Sequence, residues 1–442
     1  ETVADANADS WKKKTATQWT QGSNVSYLAN PRVTQTEIWD SDNNHRRTTI
    51  DYGAPEKGYV QWSLPYLTRE FATVGGTEIE LRQHYTDYNL SQQYLDRRII
   101  GLPSAEYLTN VSWFQSKVSY DYDAASQIQA TSATTIQHDP AFDTLIPRGN
   151  VTSITRWDTT DPNTINDGSK KLTSLVAYDT NGSPVWSRDA AQHQSNIFYA
   201  DSFSADGVNN TALSFATFAY PTTITDADGN SSAMKYHYDF AAVTHVEGPP
   251  PAGQSTGASQ TMTYDSAGRL WRTDNLNNGA YSRWEYGSWV VSKYDTVQEG
   301  QGERQTVTIL NGFGQAEANG GNNPGSAGGS WGKFTIYDIM DRPSQFTNPA
   351  EINSGWVPSG DDAAGWLFST PILYDWKSRP LKTYNMDGTY RTAEYGGCGC
   401  AGGEVVTLTD EVNRKQKSYA DPLGRTYRVE VLNDSGSVYS TT

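Results

Sequence analysis

The sequence predicts an all-β fold made of antiparallel β-hairpin repeats, and three observations predict it. The first is composition, because the 442 residues include 14 Trp, 27 Tyr and 12 Phe but only 4 Met. Aromatic side chains suit the half-exposed faces of β-sheets. The second is a recurring aromatic-Asp dipeptide, and the third is the turn sequence that follows it.

Tyr or Trp is followed directly by Asp at ten positions, where composition alone gives roughly three. These pairs are Trp39-Asp40, Tyr120-Asp121, Tyr122-Asp123, Trp157-Asp158, Tyr178-Asp179, Tyr238-Asp239, Tyr264-Asp265, Tyr294-Asp295, Tyr337-Asp338 and Tyr374-Asp375. Such an excess is typical of a repeat architecture.

The segment from Tyr264 to Leu270 reads as a strand end, a turn and the start of a return strand. Gly268 occupies the turn position that requires a positive φ, and Arg269 begins the return strand. Asp341 and Ser378 replace the glycine in two other copies, and both residue types are common in turns. The residues assigned to this repeated frame are Tyr178, Asp179, Tyr264, Asp265, Gly268, Arg269, Tyr337, Asp338, Arg342, Tyr374, Asp375, Arg379, Gly424 and Arg425.

A second turn lies between successive frames and carries pairs such as Asp228-Gly229, Asn278-Gly279, Asp387-Gly388 and Ser435-Gly436. The resulting unit is about twenty residues long and contains one pair of strands. One stretch breaks this rhythm. The glycine-rich segment 319–330 has no apolar period, so we expect a flexible loop there.

These repeats resemble the RHS or YD-repeat family, clearly from Arg148 to the C-terminus and more faintly from Arg32 to Asp123. The resemblance implies that consecutive hairpins pair side by side into a strip that spirals into a shell or tube, as in bacterial RHS toxins, insecticidal toxin complexes and teneurins. We therefore expect a divergent β-rich region over 1–150, which would cap the array, and an open-ended YD-repeat array over 151–442. The aspartate-containing core segment of toxin-bearing members is missing, and the sequence stops where a strand should start. A fragment is therefore expected.

Charge and hydropathy restrict the partners. The net charge of −16 and the scattered Lys and Arg residues argue against nucleic-acid binding. No run of about 18 apolar residues is present, so we expect no membrane span. The chain opens with Glu1 rather than Met, which fits a mature or shortened chain, and we expect a secreted or cell-surface protein.

Few residues offer chemistry. The only cysteines, Cys398 and Cys400, form a C-x-C pair without a nearby His, which favours a disulfide or free thiols over a metal site. Asp226 to Asn230 departs from the calcium-loop pattern and is predicted to be a plain turn. No nucleophile elbow is present. We accordingly expect neither an enzyme nor a cofactor.

Four tryptophans outside the repeated frame are candidates for a surface contact: Trp289, Trp331, Trp356 and Trp366. The first hypothesis is a secreted structural protein whose β-shell, tube or fibre wall serves enclosure, adhesion or self-assembly through terminal strand edges. An alternative is an adhesin module that binds a glycan or protein at a cell surface. A third is the partial shell of a polymorphic toxin.

Overall fold

The computed structural model describes most of the chain. The described residues are 2–4, 11–21, 31–40, 44–53, 57–74, 76–110, 113–131, 139, 147–161, 169–201, 217–297, 302–369, 373–433 and 435–442.

The described residues are overwhelmingly β-strand, which confirms the predicted all-β class. The first strands along the chain are β1 (Thr2–Ala4), β2 (Trp11–Thr20), β3 (Arg32–Asp40), β4 (His45–Asp51), β5 (Leu67–Val74), β6 (Thr77–Tyr88), β7 (Pro103–Thr109), β8 (Phe114–Tyr122), β9 (Ile128–Gln129), β10 (Val151–Trp157), β11 (Lys171–Asp179) and β12 (Pro184–Arg188). The middle strands are β13 (Gln194–Phe198), β14 (Thr223–Thr225), β15 (Ser231–His237), β16 (Ala242–Glu247), β17 (Ser259–Tyr264), β18 (Leu270–Asn275), β19 (Tyr281–Tyr286), β20 (Val290–Thr296), β21 (Glu303–Leu310), β22 (Ala316–Asn322), β23 (Ser330–Tyr337) and β24 (Pro343–Thr347). The last strands are β25 (Ala350–Ile352), β26 (Phe368–Ser369), β27 (Leu373–Tyr374), β28 (Pro380–Tyr384), β29 (Tyr390–Gly396), β30 (Val405–Thr409), β31 (Lys415–Ala420), β32 (Thr426–Leu432) and β33 (Val438–Thr441).

Helical structure is confined to short segments. A single turn of α-helix, α1, spans Gln92–Asp96. Three-residue or four-residue 3-10 helices span Tyr59–Trp62, Ala125–Gln127 and Gly360–Asp362. No helix in the described part of the chain is long and apolar enough to cross a membrane.

The chain divides into two compact units by its internal contacts. Among the described residues, one unit takes those up to Gln194 together with Ala393–Thr442, and the other takes those from Ser195 to Thr392. The first unit therefore brings hairpins from both terminal regions of the chain together. The predicted boundary at residue 150 was drawn on sequence repetition rather than on contacts, and it stays a prediction.

Most strands pair antiparallel with the strand that follows in sequence, although β8 pairs with β10, β23 pairs with β25 as well as with β24, and β24 pairs with β26. In β17 and β18, for example, Met262 lies opposite Thr273, and the register shifts between Thr263 and Tyr264 at the turn. Comparable shifts precede the turns of β11–β12, β23–β24, β27–β28 and β31–β32. The described exception to the antiparallel order is β9, which pairs in parallel with β11. Local hairpin pairing thus accounts for most of the order.

Most of the large aromatic side chains are at least partly exposed on the faces of the sheet and are not buried in a core. No Trp or Phe among the described residues is buried, and the buried apolar side chains there are six Ala, three Tyr, two Leu, Ile352 and Cys398. Several aromatic and aliphatic side chains on both strands and turns are strongly exposed, including Trp19, Phe313 and Ile339. Burial in a thick core therefore contributes less here than contacts between adjacent hairpins.

The prediction of a flexible loop over 319–330 is wrong in its first part. Strand β22 ends at Asn322 and pairs with β23, so that Gly320 lies opposite Gly332 and Gly321 opposite Trp331. A Cβ on Gly320 would lie 2.8 Å from Cη2 of Trp356 and 2.6 Å from the Trp331 carbonyl oxygen. The glycines are needed because the Trp356 ring lies directly on this part of the sheet.

Candidate functional site

The repeated feature of the molecule is a five-residue turn that begins with Asp or Asn. In the turn from Asp265 to Arg269, the Asp265 carboxylate oxygen Oδ1 accepts hydrogen bonds from the backbone N–H groups of Ala267 and Arg269, both at 2.9 Å. The Asp265 N–H donates to the Arg269 carbonyl, and the Gly268 N–H donates to the Asp265 carbonyl. The carboxylate of the first residue therefore supplies an acceptor for backbone N–H groups that a tight reversal would leave without a partner.

The fourth turn position has a left-handed backbone, as the sequence predicted. Gly268 has a φ of 75° and Gly424 a φ of 82°. Asp341 and Ser378, which replace glycine there, have φ values of 59° and 61°. This geometry is a type I turn followed by a bulge residue, which matches the right-handed twist of the flanking strands.

Arg at the fifth turn position goes with Asp at the first, although Asp also begins turns that end in Ser183 and Asn230. Wherever the described turns have Arg at the fifth position, the first residue is Asp and its Oδ2 accepts a hydrogen bond from the Arg Nε: Asp265–Arg269, Asp338–Arg342, Asp375–Arg379, Asp410–Arg414 and Asp421–Arg425. The turns that begin with Asn end in an uncharged residue: Asn311–Gln315, Asn353–Val357, Asn385–Thr389 and Asn433–Ser437. Only a carboxylate can accept the guanidinium as an ion pair, whereas either side chain can accept the backbone donors.

The pKa of the first turn residue is lowered in several turns where an Arg at the fifth position binds it and is raised at Asp179. The hydrogen bond from Arg269 lowers the pKa of Asp265, and the bonds from Arg342 and Arg425 do the same for the pKa values of Asp338 and Asp421. Asp179 has Ser183 at the fifth position and is 3% exposed. Burial raises the pKa of Asp179, although backbone N–H groups of its turn oppose the rise.

A tyrosine of one repeat is held by the turn of the preceding repeat. The Tyr286 hydroxyl donates a 2.8 Å hydrogen bond to the carbonyl oxygen of Leu270, which follows the turn at Arg269. The Arg269 guanidinium carbon lies 4.4 Å from the centre of the Tyr286 ring. We call this arrangement, a tyrosine hydroxyl on the carbonyl that follows a turn, the tyrosine clamp. It joins neighbouring repeats by both a hydrogen bond and, where Arg is present, a cation–π contact.

The hydroxyl-to-carbonyl contact recurs along the chain. It joins Tyr52 to Val33, Tyr88 to Pro65, Tyr122 to Pro103, Tyr178 to Val151, Tyr236 to Pro221, Tyr264 to Val243, Tyr286 to Leu270, Tyr337 to Ala316 and Tyr374 to Pro343. Four of the predicted frame tyrosines, Tyr178, Tyr264, Tyr337 and Tyr374, belong to this series. The series also reaches Tyr52, Tyr88 and Tyr122, where the sequence resemblance is faint.

Comparison with known proteins finds likeness only at the level of structure. No protein-family model and no curated protein sequence matches this chain. Chains of toxin complexes resemble it in structure. They are from the crystal structures of TcdB2-TccC3-Cdc42 (TM-score 0.36) and of TcdB2-TccC3 without its hypervariable C-terminal region (TM-score 0.37), and from the Photorhabdus luminescens Tc holotoxin pore (TM-score 0.35). Each is 10% identical to this chain and is matched over 96% of it. The chain spans 23%, 23% and 22% of the length of those chains.

Several turns of the same geometry carry no preceding Tyr or Trp, and the dipeptide search missed them. Asp410 follows Thr409, and Asn311 follows Leu310, yet both side chains accept the backbone N–H groups two and four residues later. A search for Asp or Asn followed three residues later by Gly, Asn, Ser or Asp would have found these turns. The hairpin geometry depends on that spacing and not on the aromatic residue.

The four candidate tryptophans lie in different environments. Trp289 is 55% exposed beside β20. Trp356 and Trp366 both contact the Phe334 ring, with centroids 5.6 Å and 4.8 Å apart. Trp331 lies in β23 opposite Gly321. Trp289 is therefore the candidate with the most ring surface open to a ligand.

Several acidic and sulfur-containing side chains that could offer chemistry are bound by other protein groups. The Arg47 guanidinium binds Glu78 at 2.8 Å and 2.6 Å, and Asp362 accepts the Glu351 N–H at 2.7 Å. Cys398 and Cys400 are joined in a disulfide. Within the described ranges, no cluster of three or more His, Cys, Asp or Glu side chains is arranged to hold a metal ion.

Proposed function

We propose that this chain is a secreted structural protein whose hairpin strip forms part of the wall of a shell or tube. The observation that carries the proposal is the tyrosine clamp, which recurs along the described residues and joins one repeat to another. Such clamps stabilise a sheet that has no thick core behind it, as in the described residues, where no Trp or Phe is buried. A wall that must enclose a space has this requirement, because most of its surface stays in contact with solvent.

The proposed role is structural and not catalytic. In the repeated turn, the Asp carboxylate binds backbone N–H groups and the Arg guanidinium, and the clamp tyrosine binds a backbone carbonyl. Polar side chains that bind one another and the backbone in this way make the hairpins rigid. They do not form an activated nucleophile or a general acid–base pair facing a cleft.

Secretion is supported by the disulfide between Cys398 and Cys400, since disulfides persist mainly in oxidising compartments. The net charge of −16 favours solubility and opposes binding to nucleic acid. A mature chain recovered from culture medium, with its disulfide intact, is the expected observation. Recovery only from the cell interior contradicts this part of the proposal.

Small-angle scattering of the purified chain tests the wall directly. A compact globule of this length has a radius of gyration of about 22 Å. A wall that bounds an empty space gives a clearly larger radius and a distance distribution skewed towards long vectors. A radius at the compact value contradicts the proposal, because the interior would then be filled.

Self-association through strand edges is a further part of the proposal. Strand β33 pairs with β32 and, among the described residues, with no other strand. Its side chains are exposed, with Tyr439 at 79%. An edge of this kind can accept a strand from a second chain. Light scattering should show a mass that rises with concentration, and Tyr439→Lys should suppress the rise; a monomer at every concentration contradicts this part.

A binding role is the second candidate, and exposed Trp289 favours it. The indole is 55% exposed, which is enough to stack on a sugar ring or a partner side chain. A glycan array read with the wild-type chain and with Trp289→Ala tests it. Binding that is absent, or that is unchanged in the variant, argues against this role for Trp289.

A further inference from the structure

The disulfide lies in a buried glycine-rich loop that the structural role does not explain. The loop runs from Gly396 to Gly403 and follows β29. Cys398 is 3% exposed and Ala401 is 2% exposed, whereas Cys400 is only half-buried. Among the described residues, few others in this polar chain are as completely covered. The loop is therefore packed against something.

The covering groups come from the other terminal region of the chain, within the same compact unit. The Cys398 N–H donates to Oδ2 of Asp40 at 3.4 Å across a sequence separation of 358 residues. Asp40 is 0% exposed and accepts hydrogen bonds from the backbone N–H and the side-chain Nδ2 of Asn44, each at 2.9 Å. The loop thus contacts Asp40, the last residue of β3, and lies beside Asn44, which precedes β4.

The loop has no room to expand. A Cβ on Gly403 would lie 2.8 Å from Oδ1 of Asn44, and a Cβ on Gly402 would lie 2.2 Å from the Pro422 carbonyl oxygen. The Gly403 N–H also donates to the Asp421 carbonyl at 3.0 Å. The backbone is therefore enclosed between Asn44 on one side and the Asp421 to Arg425 turn on the other.

A disulfide across one residue is poorly suited to stabilising a whole fold. The entropic stabilisation from a disulfide grows with the length of the chain segment that it closes. Here the two cysteines are only two positions apart in sequence, so that stabilisation is small. Its effect is local, because it fixes the shape of the loop that touches Asp40. Once the bond is broken, the two sulfur atoms must separate to van der Waals distance, and the crowded backbone at Gly402 and Gly403 limits how the loop can absorb the change.

We propose that Cys398–Cys400 is a redox-responsive clasp, which holds the C-terminal hairpins on the Asp40–Asn44 reversal when oxidised and releases them when reduced by a low-molecular-weight thiol. The thiolate attacks the more accessible Cys400 sulfur, and the electron pair of the S–S bond passes to Cys398. The Cys400 N–H donates to Cys398 Sγ at 3.1 Å and stabilises the charge that develops there.

A second thiolate then attacks the outer sulfur of the mixed disulfide, and Cys400 leaves as a thiolate that takes up a proton. In sum, two thiol molecules become one disulfide, and Cys398 and Cys400 take up two electrons and two protons. The product is a loop whose two thiols stand further apart, which shifts the loop away from its contacts with Asp40 and Asn44. The contact with Asp40 is the contact that opens.

Hydrogen–deuterium exchange of the full chain, with and without dithiothreitol, tests the clasp. Reduction should speed exchange on the order of tenfold in peptides that cover 39–45 and 396–404. The Asp265 to Arg269 turn, which belongs to the other compact unit, serves as the internal control and should not change. The double variant C398S/C400S should show the fast exchange without reductant and should not respond to it.

Thiol counting accompanies the exchange measurement. The unreduced chain should yield no reactive thiols after denaturation, and the reduced chain should yield two. The proposal is overturned if exchange at 39–45 is the same before and after complete reduction, or if it rises equally throughout the chain. It is also overturned if the native chain carries two free thiols and already shows the slow exchange. Because the reductant acts on wild-type protein, a variant that fails to fold does not prevent a decision.

Discussion

The Arg342 guanidinium carbon lies 4.5 Å from the centre of the Tyr374 ring, and the Tyr374 hydroxyl donates a 2.7 Å hydrogen bond to the carbonyl of Pro343. The same Arg342 is paired with Asp338 through Nε. One turn therefore orients an arginine that holds a tyrosine 31 residues further along the chain. Rigidity within a hairpin and attachment between hairpins depend on the same side chains.

The hydroxyl of a clamp tyrosine should contribute measurably to stability. Tyr286→Phe removes the hydrogen bond to Leu270 and leaves the ring under Arg269, so we expect a loss of about 1 kcal/mol in the free energy of unfolding. Tyr427→Phe is the matched control, because Tyr427 is 62% exposed, and it should change stability by less than about 0.5 kcal/mol. Urea denaturation measures both. Equal losses in the two variants contradict the clamp.

Replacing Asp by Asn should have opposite effects in two turns. Asp265→Asn keeps the acceptor for Ala267 and Arg269 N–H groups but loses the Arg269 ion pair, so stability at pH 7 should fall. Asp179→Asn should raise stability at pH 7, because burial raises the pKa of Asp179 and disfavours its charged form. Thermal unfolding at pH 7 measures both, and changes of the same sign would show that the fifth turn residue does not decide between Asp and Asn.

Acid should weaken the ion pair between β19 and β21. Hydrogen bonds from Arg283 lower the pKa of Glu303 to about 2 from its ordinary value of 4.5. Because the folded-state pKa is the lower one, the stabilisation is complete above pH 4.5 and is lost as the pH falls from 4.5 towards 2. Unfolding measured over this range should lose part of its pH dependence in Glu303→Gln. An unchanged slope in the variant contradicts the assignment.

A methyl group on the sheet beneath Trp356 should be destabilising. Gly320→Ala places a Cβ 2.8 Å from the Trp356 ring and 2.6 Å from a carbonyl oxygen, so we expect a loss of about 2 kcal/mol. Gly312→Ala is the matched control, since nothing lies within 4 Å of its added Cβ. Denaturation that shows Gly320→Ala as stable as wild type would contradict the close packing.

Alanine variants of Trp356 and Trp289 should show which of the two residues stabilises the fold and which is free to bind a ligand. Trp356→Ala removes the contact with Phe334 and the cover over Gly320 and Gly332, so it should lose about 2 kcal/mol of stability. Trp289→Ala should change stability by less than about 0.5 kcal/mol. Circular dichroism during denaturation measures both variants. A large loss in Trp289→Ala would make that residue structural and unsuitable as a binding probe.

The sequence predicted what depends on neighbouring residues. The left-handed positions at Gly268, Asp341 and Ser378 follow from the spacing within a single turn, so they could be read without a structure. The strand through Gly320 could not, because the reason for the glycine is the Trp356 ring 36 residues away. The contact between Cys398 and Asp40 is still less accessible to sequence reasoning, since 358 residues separate the partners.

The five-residue turn satisfies its own backbone donors and acceptors, so its shape does not rely on any distant residue. A short peptide that carries one such turn between two strands should consequently keep the reversal itself, even without the tyrosine of the next hairpin.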